Sequence, residues 1–180
     1  MLESGDVLVL AGSIPGSLPD NIYEKILERL SEKNIAFVVD ATGDLLLNVL
    51  KYRPFMIKPN HFELGDIFSA EIKTVDDIKK YGGRLQQLGA RNVLVSRGKD
   101  GAVLLDENGE IHTIENMPGE IKSAVGCGDS MVAGFIAGYY EKRDYAYALK
   151  LGTVCGNATA FSETLANRNE IDKMLEYFID

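Results

Sequence analysis

The segment Ser123–Phe135 holds the residues with the clearest capacity for chemistry. A predicted helix begins here, and Asp129 lies in its first turn, directly after Gly126, Cys127 and Gly128. Backbone N–H groups at a helix start lack intrahelical acceptors and carry partial positive charge, and glycine lets an anion approach them closely. A carboxylate beside them can take a proton from a hydroxyl. The pattern favours phosphoryl transfer, and a glycine turn with an ordinary helix-start charge is the open alternative.

A polar turn follows a predicted strand at residues 96–101. Its members are Ser96, Arg97, Gly98, Lys99, Asp100 and Gly101. The turn offers a hydroxyl, two cations and two glycines that permit close backbone approach, which suits a nucleotide phosphate. It lacks the GxxxxGK[ST] pattern, so a Walker-type P-loop is excluded. A solvated polar turn is the open alternative.

Lys58 stands at the end of another predicted strand, and Asn60 and Glu63 follow it three residues apart. A helical turn would put these last two on one side. Their oxygen atoms suit Mg²⁺ that is held mainly through water and substrate phosphates. A helix start with Asn60 as cap and Glu63 as its capping-box partner is the open alternative. His61 is interpreted as a surface or packing residue, and Asp40 as a cap for the turn after its strand.

Short apolar runs alternate with helical periodicity along the chain. Strands are predicted over residues 6–11, 35–40, 55–58, 92–96, 101–105 and 111–114, the last two joined in a hairpin by residues 106–109. Helices are predicted from residue 21, over 74–89, and near 129–140, 144–161 and 169–179. Capping boxes are predicted at Asn21–Glu24 and Thr74–Asp77, and a left-handed helix end at Gly89. This alternation predicts an α/β fold with a doubly wound, mostly parallel sheet.

Ligands of such sheets bind beyond the carboxyl ends of the strands. The segments that stand there are Gly12–Gly16, Lys58–Glu63, Ser96–Gly101 and Gly126–Asp129. We therefore expect these segments to converge on one pocket. Because the chain enters a buried strand almost at once, we also expect further strands to precede it.

Composition and charge narrow the classes of partner. The chain has 180 residues, 46% of them hydrophobic and 26% charged, as in ordinary globular proteins. Its formal net charge of −8 disfavours nucleic acid but permits a small phosphorylated ligand. No apolar run reaches the roughly 18 residues that span a bilayer, and no signal-peptide pattern is present, so no membrane partner is expected. Cys127 and Cys155 form no CxxC pair or disulfide framework, which indicates a reducing, cytoplasmic location.

Taken together and in this order, the segments resemble those of the ribokinase-like (PfkB) family of sugar and sugar-phosphate kinases. The resemblance covers the whole chain. It implies a three-layer α/β/α fold, ATP and Mg²⁺ as cofactors, and a sugar phosphate as the other substrate. It also implies that Asp129 is the catalytic base and that the anion hole consists of Gly126, Cys127 and Gly128.

The resemblance assigns roles to further positions. Asn60 and Glu63 match the NxxE motif that is tied to magnesium and phosphate. The loop Ser96–Gly101 matches the loop at the ATP phosphates, and Lys58 matches a lysine near the nucleotide. Asn157 would lie near the adenine.

Within the family, three segments are most similar to the branch that phosphorylates fructose 1-phosphate: Leu10–Pro15, Gly128–Phe135 and Cys155–Ser162. The implied reaction moves the γ-phosphoryl of ATP to O6 of fructose 1-phosphate and gives fructose 1,6-bisphosphate. Ser13 would lie near the sugar phosphate. Kinases of tagatose 6-phosphate are the close alternative.

The chain also departs from the family pattern. Cys127 stands where alanine is usual, and Ser123-Ala124 replaces a common Asp-Thr pair. The family's first half, with its first glycine-rich motif, most sugar contacts and a β-lid that often mediates dimers, has no counterpart. Residues 1–180 are therefore interpreted as the C-terminal portion of a single kinase domain, and a homodimer is expected only for a full-length form.

Two other functional classes are alternatives. Without a lid to exclude water, the chain could be a nucleotide-binding fragment that has no catalytic activity. A Rossmann oxidoreductase is disfavoured, because Gly12–Gly16 after the first strand lacks the GxGxxG pattern.

Overall fold

The computed structural model describes residues 2–177 of the chain. The strands are β1 (Val7–Ala11), β2 (Ala36–Asp40), β3 (Met56–Ile57), β4 (Asn92–Ser96), β5 (Ala102–Leu105) and β6 (Ile111–Ile114). The helices are α1 (Ile22–Leu30), α2 (Gly43–Val49), α3 (His61–Phe68), α4 (Val75–Gln87), α5 (Cys127–Lys142), α6 (Tyr145–Ala160) and α7 (Arg168–Tyr177). Short 3₁₀ turns occupy Leu50–Tyr52 and Gly98–Asp100. The last residues of the helix predicted over 169–179 lie outside the described residues.

The strands form one mixed sheet in the order β1-β2-β3-β4-β5-β6. Neighbours from β1 to β4 pair in parallel, with Leu10 opposite Val39 and Ile57 opposite Val93. The predicted α/β fold with a mostly parallel sheet is confirmed. Because right-handed crossovers between strands in chain order all turn the same way, α1, α2, α3 and α4 cover one face of this sheet.

The chain divides into two compact units. The first, called unit 1, is Met1–Ser96 with Val103–Ile111, and unit 2 is Arg97–Ala102 with His112–Asp180. The interpretation of residues 1–180 as one portion of a single domain stays a prediction.

The core of unit 1 follows the period of the strands. Phe37 and Val39 of β2 point into a cluster that also contains apolar residues of the crossover helices, such as Leu27 and Leu85. Val38 lies between them on the other face and is also fully buried. Strands that are buried on both faces appear in a sequence as continuous apolar runs. This is why β2 was predictable from its composition alone.

Unit 2 contains a close-packed helix pair. A Cβ atom at Gly134 of α5 would lie 2.7 Å from Cys155 Sγ, and one at Gly152 of α6 would lie 2.8 Å from the Met131 carbonyl oxygen. The two helices therefore meet backbone to backbone, and α6 also contacts α7. The small side chains within residues 152–160 serve this packing.

Of the two predicted capping boxes, one is confirmed and one is wrong. Thr74 and Asp77 form the predicted capping box of α4, with reciprocal backbone-to-side-chain bonds. The box predicted for Asn21 and Glu24 is wrong, because Asn21 makes no side-chain cap bond and Glu24 pairs with Lys51 instead. Helix α2 was missed, although its apolar residues recur with helical spacing.

The end of α4 is fixed by Gly89. Its N–H donates to the Gln86 carbonyl, and the next N–H, of Ala90, donates to Leu85, which together form a Schellman motif. Gly89 has a φ of +133°, and a Cβ there would collide with the Leu50 carbonyl oxygen. The predicted glycine helix end is thus confirmed.

Two further observations concern the cysteines and the lengths of the helices. Cys127 and Cys155 are both free. No helix within residues 2–177 is long and apolar enough to cross a membrane.

Gly89→Ala should lower the free energy of unfolding by about 2 kcal/mol or more, because the residue needs positive φ and has no room for a methyl group. Gly83→Ala in the same helix is the matched control, since a methyl group there would meet nothing within 4 Å. That control should raise stability by about 0.5–1 kcal/mol. Urea denaturation followed by circular dichroism measures the free energy of unfolding of both variants. Equal changes in that free energy would contradict the close packing at Gly89.

Candidate active site

At the carboxyl end of β1, the backbone turns at Gly12, which has a φ of +85°. The Tyr23 hydroxyl donates towards the carbonyl oxygens of Ala11 at 2.9 Å and Gly12 at 3.1 Å. Burial, followed by the charge of Asp40, raises the pKa of Tyr23, so its hydroxyl stays protonated as a donor. Ser13 is exposed beyond this turn. Sequence reasoning missed Tyr23, whose spacing resembles that of any core-facing helix residue.

A buried ion pair joins the ends of the next two strands. Lys58 Nζ lies 3.2 Å from Asp40 Oδ2, and the two side chains are only 8% and 19% exposed. The pair forms because the parallel register sets Val39 opposite Ile57, so that the next residue of each strand also meets. The interpretation of Asp40 as only a turn cap is incomplete, because its carboxylate also pairs with this lysine.

Asn60 and Glu63 form a complete capping box at the start of α3. Asn60 Oδ1 accepts from the N–H groups of Phe62 and Glu63, each at 2.9 Å, and Glu63 Oε2 accepts from the Asn60 N–H at 2.8 Å. The capping alternative left open by the sequence is therefore confirmed. With two donors, Asn60 Oδ1 has little capacity left for a metal ion, whereas Glu63 Oε1 remains for water or Mg²⁺.

Within unit 1, the Lys58–Glu63 segment meets the end of β4. The Ser96 N–H donates to the Pro59 carbonyl at 3.3 Å, and Asn60 pairs with Ser96 as an isolated parallel bridge. His61 Nδ1 lies 3.4 Å from the Ser96 carbonyl oxygen, and its ring packs on Phe62. Two predicted segments are thus neighbours, and His61 is a packing residue as expected.

In unit 2, residues 97–101 close into a tight turn. The Arg97 N–H donates to the Gly101 carbonyl at 2.8 Å, and Asn116 Nδ2 donates to the Gly98 carbonyl. Gly98 and Gly101 have φ values of +57° and +85°, and a Cβ at Gly101 would collide with the Ile114 carbonyl. The turn thus needs both glycines for its shape. Asn116 is a positioning residue that the sequence did not reveal, because it lies far along the chain from the turn.

The start of α5 has the geometry expected of an anion site. Gly126 is the N-cap residue in the left-handed region, with a φ of +78°, and α5 begins at Cys127. The Ser130 N–H makes the first helical bond to Gly126, so the N–H groups between them have no intrahelical acceptor. Asp129 is exposed in this first turn. An exposed carboxylate beside free N–H groups can exchange protons with a bound hydroxyl compound.

The Cys127 side chain adds no charge to this site. Its Sγ lies 3.4 Å from the Ser123 carbonyl oxygen, and desolvation raises the pKa of the thiol. The neutral thiol adds no negative charge near the N–H groups. The departure from alanine at this position therefore has a mild electrostatic effect.

Asn157 lies on α6 and is only 6% exposed. Its Nδ2 makes no hydrogen bond to the described residues 2–177. A buried donor without a partner is costly, which favours a role in binding a ligand or a water molecule. The convergence of residues from both units on one pocket stays a prediction.

Comparison with known proteins identifies the relatives of the chain. A family model described as pfkB family carbohydrate kinase matches residues 1–172. A 1-phosphofructokinase of Bacillus subtilis is 43% identical over 175 residues, which are 97% of this chain and 57% of that relative. A D-tagatose-1-phosphate kinase of Bacillus licheniformis is 32% identical and covers 96% of this chain and 57% of its own length.

Among solved structures, phosphofructokinase-2 from Escherichia coli in complex with substrates and products matches with a TM-score of 0.87 at 28% identity. The match covers 98% of this chain and 58% of that one. The fold expected from the resemblance is thereby confirmed. The chain spans little more than half the length of these relatives.

Lys58→Met should lower the free energy of unfolding by about 2 kcal/mol, because the largely buried Asp40 carboxylate loses its cation. The matched control is Lys51→Met, which removes the exposed partner of Glu24 and should leave the urea midpoint nearly unchanged. Equilibrium urea denaturation checks both variants. Equal destabilisation would show that burial does not distinguish the two pairs.

Proposed function

Because the chain belongs to the pfkB family of carbohydrate kinases, we propose that it forms the phosphoryl-transfer part of a kinase that acts on a sugar phosphate. ATP is the donor, and the acceptor is O6 of fructose 1-phosphate, which gives fructose 1,6-bisphosphate. The similarity to the 1-phosphofructokinase of Bacillus subtilis supports this acceptor. The start of α5, with an exposed Asp129 beside unpaired N–H groups, is the observation that carries the proposal.

In the proposed reaction, the Asp129 carboxylate takes the proton of the sugar hydroxyl as that oxygen attacks the γ-phosphorus. The bond from the γ-phosphorus to the bridging oxygen breaks, and ADP leaves. The N–H groups of residues 127–129 stabilise the charge that develops on the transferred group. Such transfer depends mainly on positioning and electrostatics rather than on covalent chemistry.

The remaining predicted residues hold the nucleotide in this proposal. The turn Ser96–Gly101 and Lys58 lie against the ATP phosphates, and Asn157 lies beside the adenine. The orphan Nδ2 of Asn157 supports its role as a donor to the base. Ser13 contacts the phosphate of the sugar.

Mg²⁺ fits only one member of the predicted pair as a ligand. Glu63 would hold the ion through water with its unused oxygen, while Asn60 orients Glu63 through the capping box. When bound, Mg²⁺ neutralises the charge of the phosphates.

Two alternatives have specific support. A D-tagatose 1-phosphate acceptor is favoured by the 32% identity to the Bacillus licheniformis kinase, which replaces tagatose 6-phosphate as the rival substrate. A nucleotide-binding fragment without catalysis is the other alternative, since the chain spans 57% of the length of these relatives. Turnover of fructose 1-phosphate at an ordinary kinase rate by the chain alone would contradict the second alternative. Cytoplasmic location and a homodimer of a longer form stay predictions.

Asp129→Asn should lower kcat by about 10²–10⁴-fold while ATP binding persists, because the amide cannot accept the proton. The matched control is Asp144→Asn, since Asp144 caps α6 through the Tyr147 N–H and asparagine caps equally well. A coupled assay of ADP release measures turnover, and calorimetry measures ATP affinity. Near-normal turnover of Asp129→Asn would refute its role as the base.

Glu63→Gln separates the capping role from the metal role. Glutamine can still accept the Asn60 N–H, so folding should be preserved, but the lost charge should raise the Mg²⁺ concentration for half-maximal activity by about tenfold. Asp77→Asn in the Thr74–Asp77 capping box is the matched control and should leave the Mg²⁺ dependence unchanged. Magnesium titrations of ATP turnover give the comparison, and identical curves for both variants would count against Glu63.

A further inference from the structure

Thr159 lies in the last turn of α6 and is only 1% exposed. Its Oγ1 lies 2.8 Å from Ser130 Oγ in the first turn of α5. The same oxygen accepts from the Ala166 N–H at 3.3 Å. One buried hydroxyl therefore joins the start of α5, the end of α6 and the segment that follows α6.

This hydroxyl can make both hydrogen bonds at once. A threonine hydroxyl has one proton and two lone pairs, so it can accept from Ala166 and still pair with Ser130 in either direction. Removing the hydroxyl leaves the Ala166 N–H and the half-buried Ser130 Oγ without this partner. Unmade bonds of buried groups cost more than made bonds contribute, so the contact strongly favours a single arrangement.

The methyl group of Thr159 also lies close to this turn. A Cβ built on Gly126 would lie 4.0 Å from Thr159 Cγ2 and 2.5 Å from Leu165 Cδ2. Leu165 precedes Ala166, whose N–H donates to Thr159. Thr159 therefore anchors the segment that contains Leu165 and packs on Gly126. A Cβ on Gly156 would lie 3.3 Å from the Cys127 carbonyl oxygen, which brings the first turn close to the α6 backbone.

We propose that Thr159 is a positioning residue for phosphoryl transfer, one that holds the first turn of α5, and with it Asp129, in place through Ser130. This inference rests on the proposed function for its catalytic meaning, because Ser130 directly follows the proposed base. Displacing a catalytic group by about 1 Å can cost on the order of 100-fold in rate, so a rigid support for this turn has a direct chemical benefit.

The test compares two buried threonines of the same helix. Thr159→Val removes the hydroxyl and keeps the shape, whereas Thr153→Val removes a hydroxyl that makes no hydrogen bond to the described residues 2–177. Amide hydrogen exchange of the Ala166 and Ser130 N–H groups should become about tenfold faster in Thr159→Val. It should stay unchanged in Thr153→Val and return towards the native rate in Thr159→Ser.

Unchanged exchange at both amides in Thr159→Val overturns the proposal, and so does faster exchange spread evenly over α5 and α6. If Thr159→Val fails to fold, Ser130→Ala removes only the bond between residue 130 and Thr159, and the residue-130 N–H, which bonds to Gly126, should then exchange faster. Native exchange in that variant overturns the proposal as well.

Turnover provides the second readout. Thr159→Val should lower kcat about tenfold with the KM for ATP within about twofold, and Thr159→Ser should restore kcat. Native kcat in Thr159→Val overturns the positioning role even if exchange changes. A native chain that shows no turnover counts against the proposed function alone, since the exchange comparison still decides whether Thr159 holds the turn.

Discussion

The unsatisfied N–H groups at the start of α5 are the constraint on which unit 2 depends. A helix cannot bond its own first donors, so it carries a partial positive charge that favours an anion. Gly126 exposes these donors by adopting a left-handed conformation at the N-cap. The close α5–α6 contact and the Thr159 hydroxyl then hold the turn against α6. This packing thereby holds in place the partially positive N–H groups that would bind an anion.

Unit 1 shows that one contact can serve both folding and binding. The Asn60–Glu63 box satisfies three N–H groups of the helix start, and the second Glu63 oxygen makes no hydrogen bond within residues 2–177. The buried Asp40–Lys58 pair fixes a lysine side chain at the carboxyl edge of the sheet. The structural and functional interpretations of these residues are therefore compatible, because a group that is fixed by its local bonds is also preorganised for a ligand.

Local patterns predicted the elements well. Strands β4 and β6 have the predicted bounds, since continuous apolar or alternating runs between turn residues depend only on neighbouring residues. The Thr74–Asp77 box and the Gly89 helix end were also predictable, because both complete their bonds within one turn. The predicted Asn21–Glu24 box does not form, because the Glu24 carboxylate pairs with Lys51, a residue that is distant in sequence.

The sequence by itself determined the alternation of strands and helices, the glycine turns and the residue types at the candidate site. Only the tertiary structure decided which side chains meet: Asp40 with Lys58, Asn116 with the turn at Gly98, and Thr159 with Ser130. The first pair depends on strand register, and the other two on how segments that are distant in sequence pack. Such contacts depend on the free energy of the whole fold, so no single stretch of sequence is sufficient to predict them.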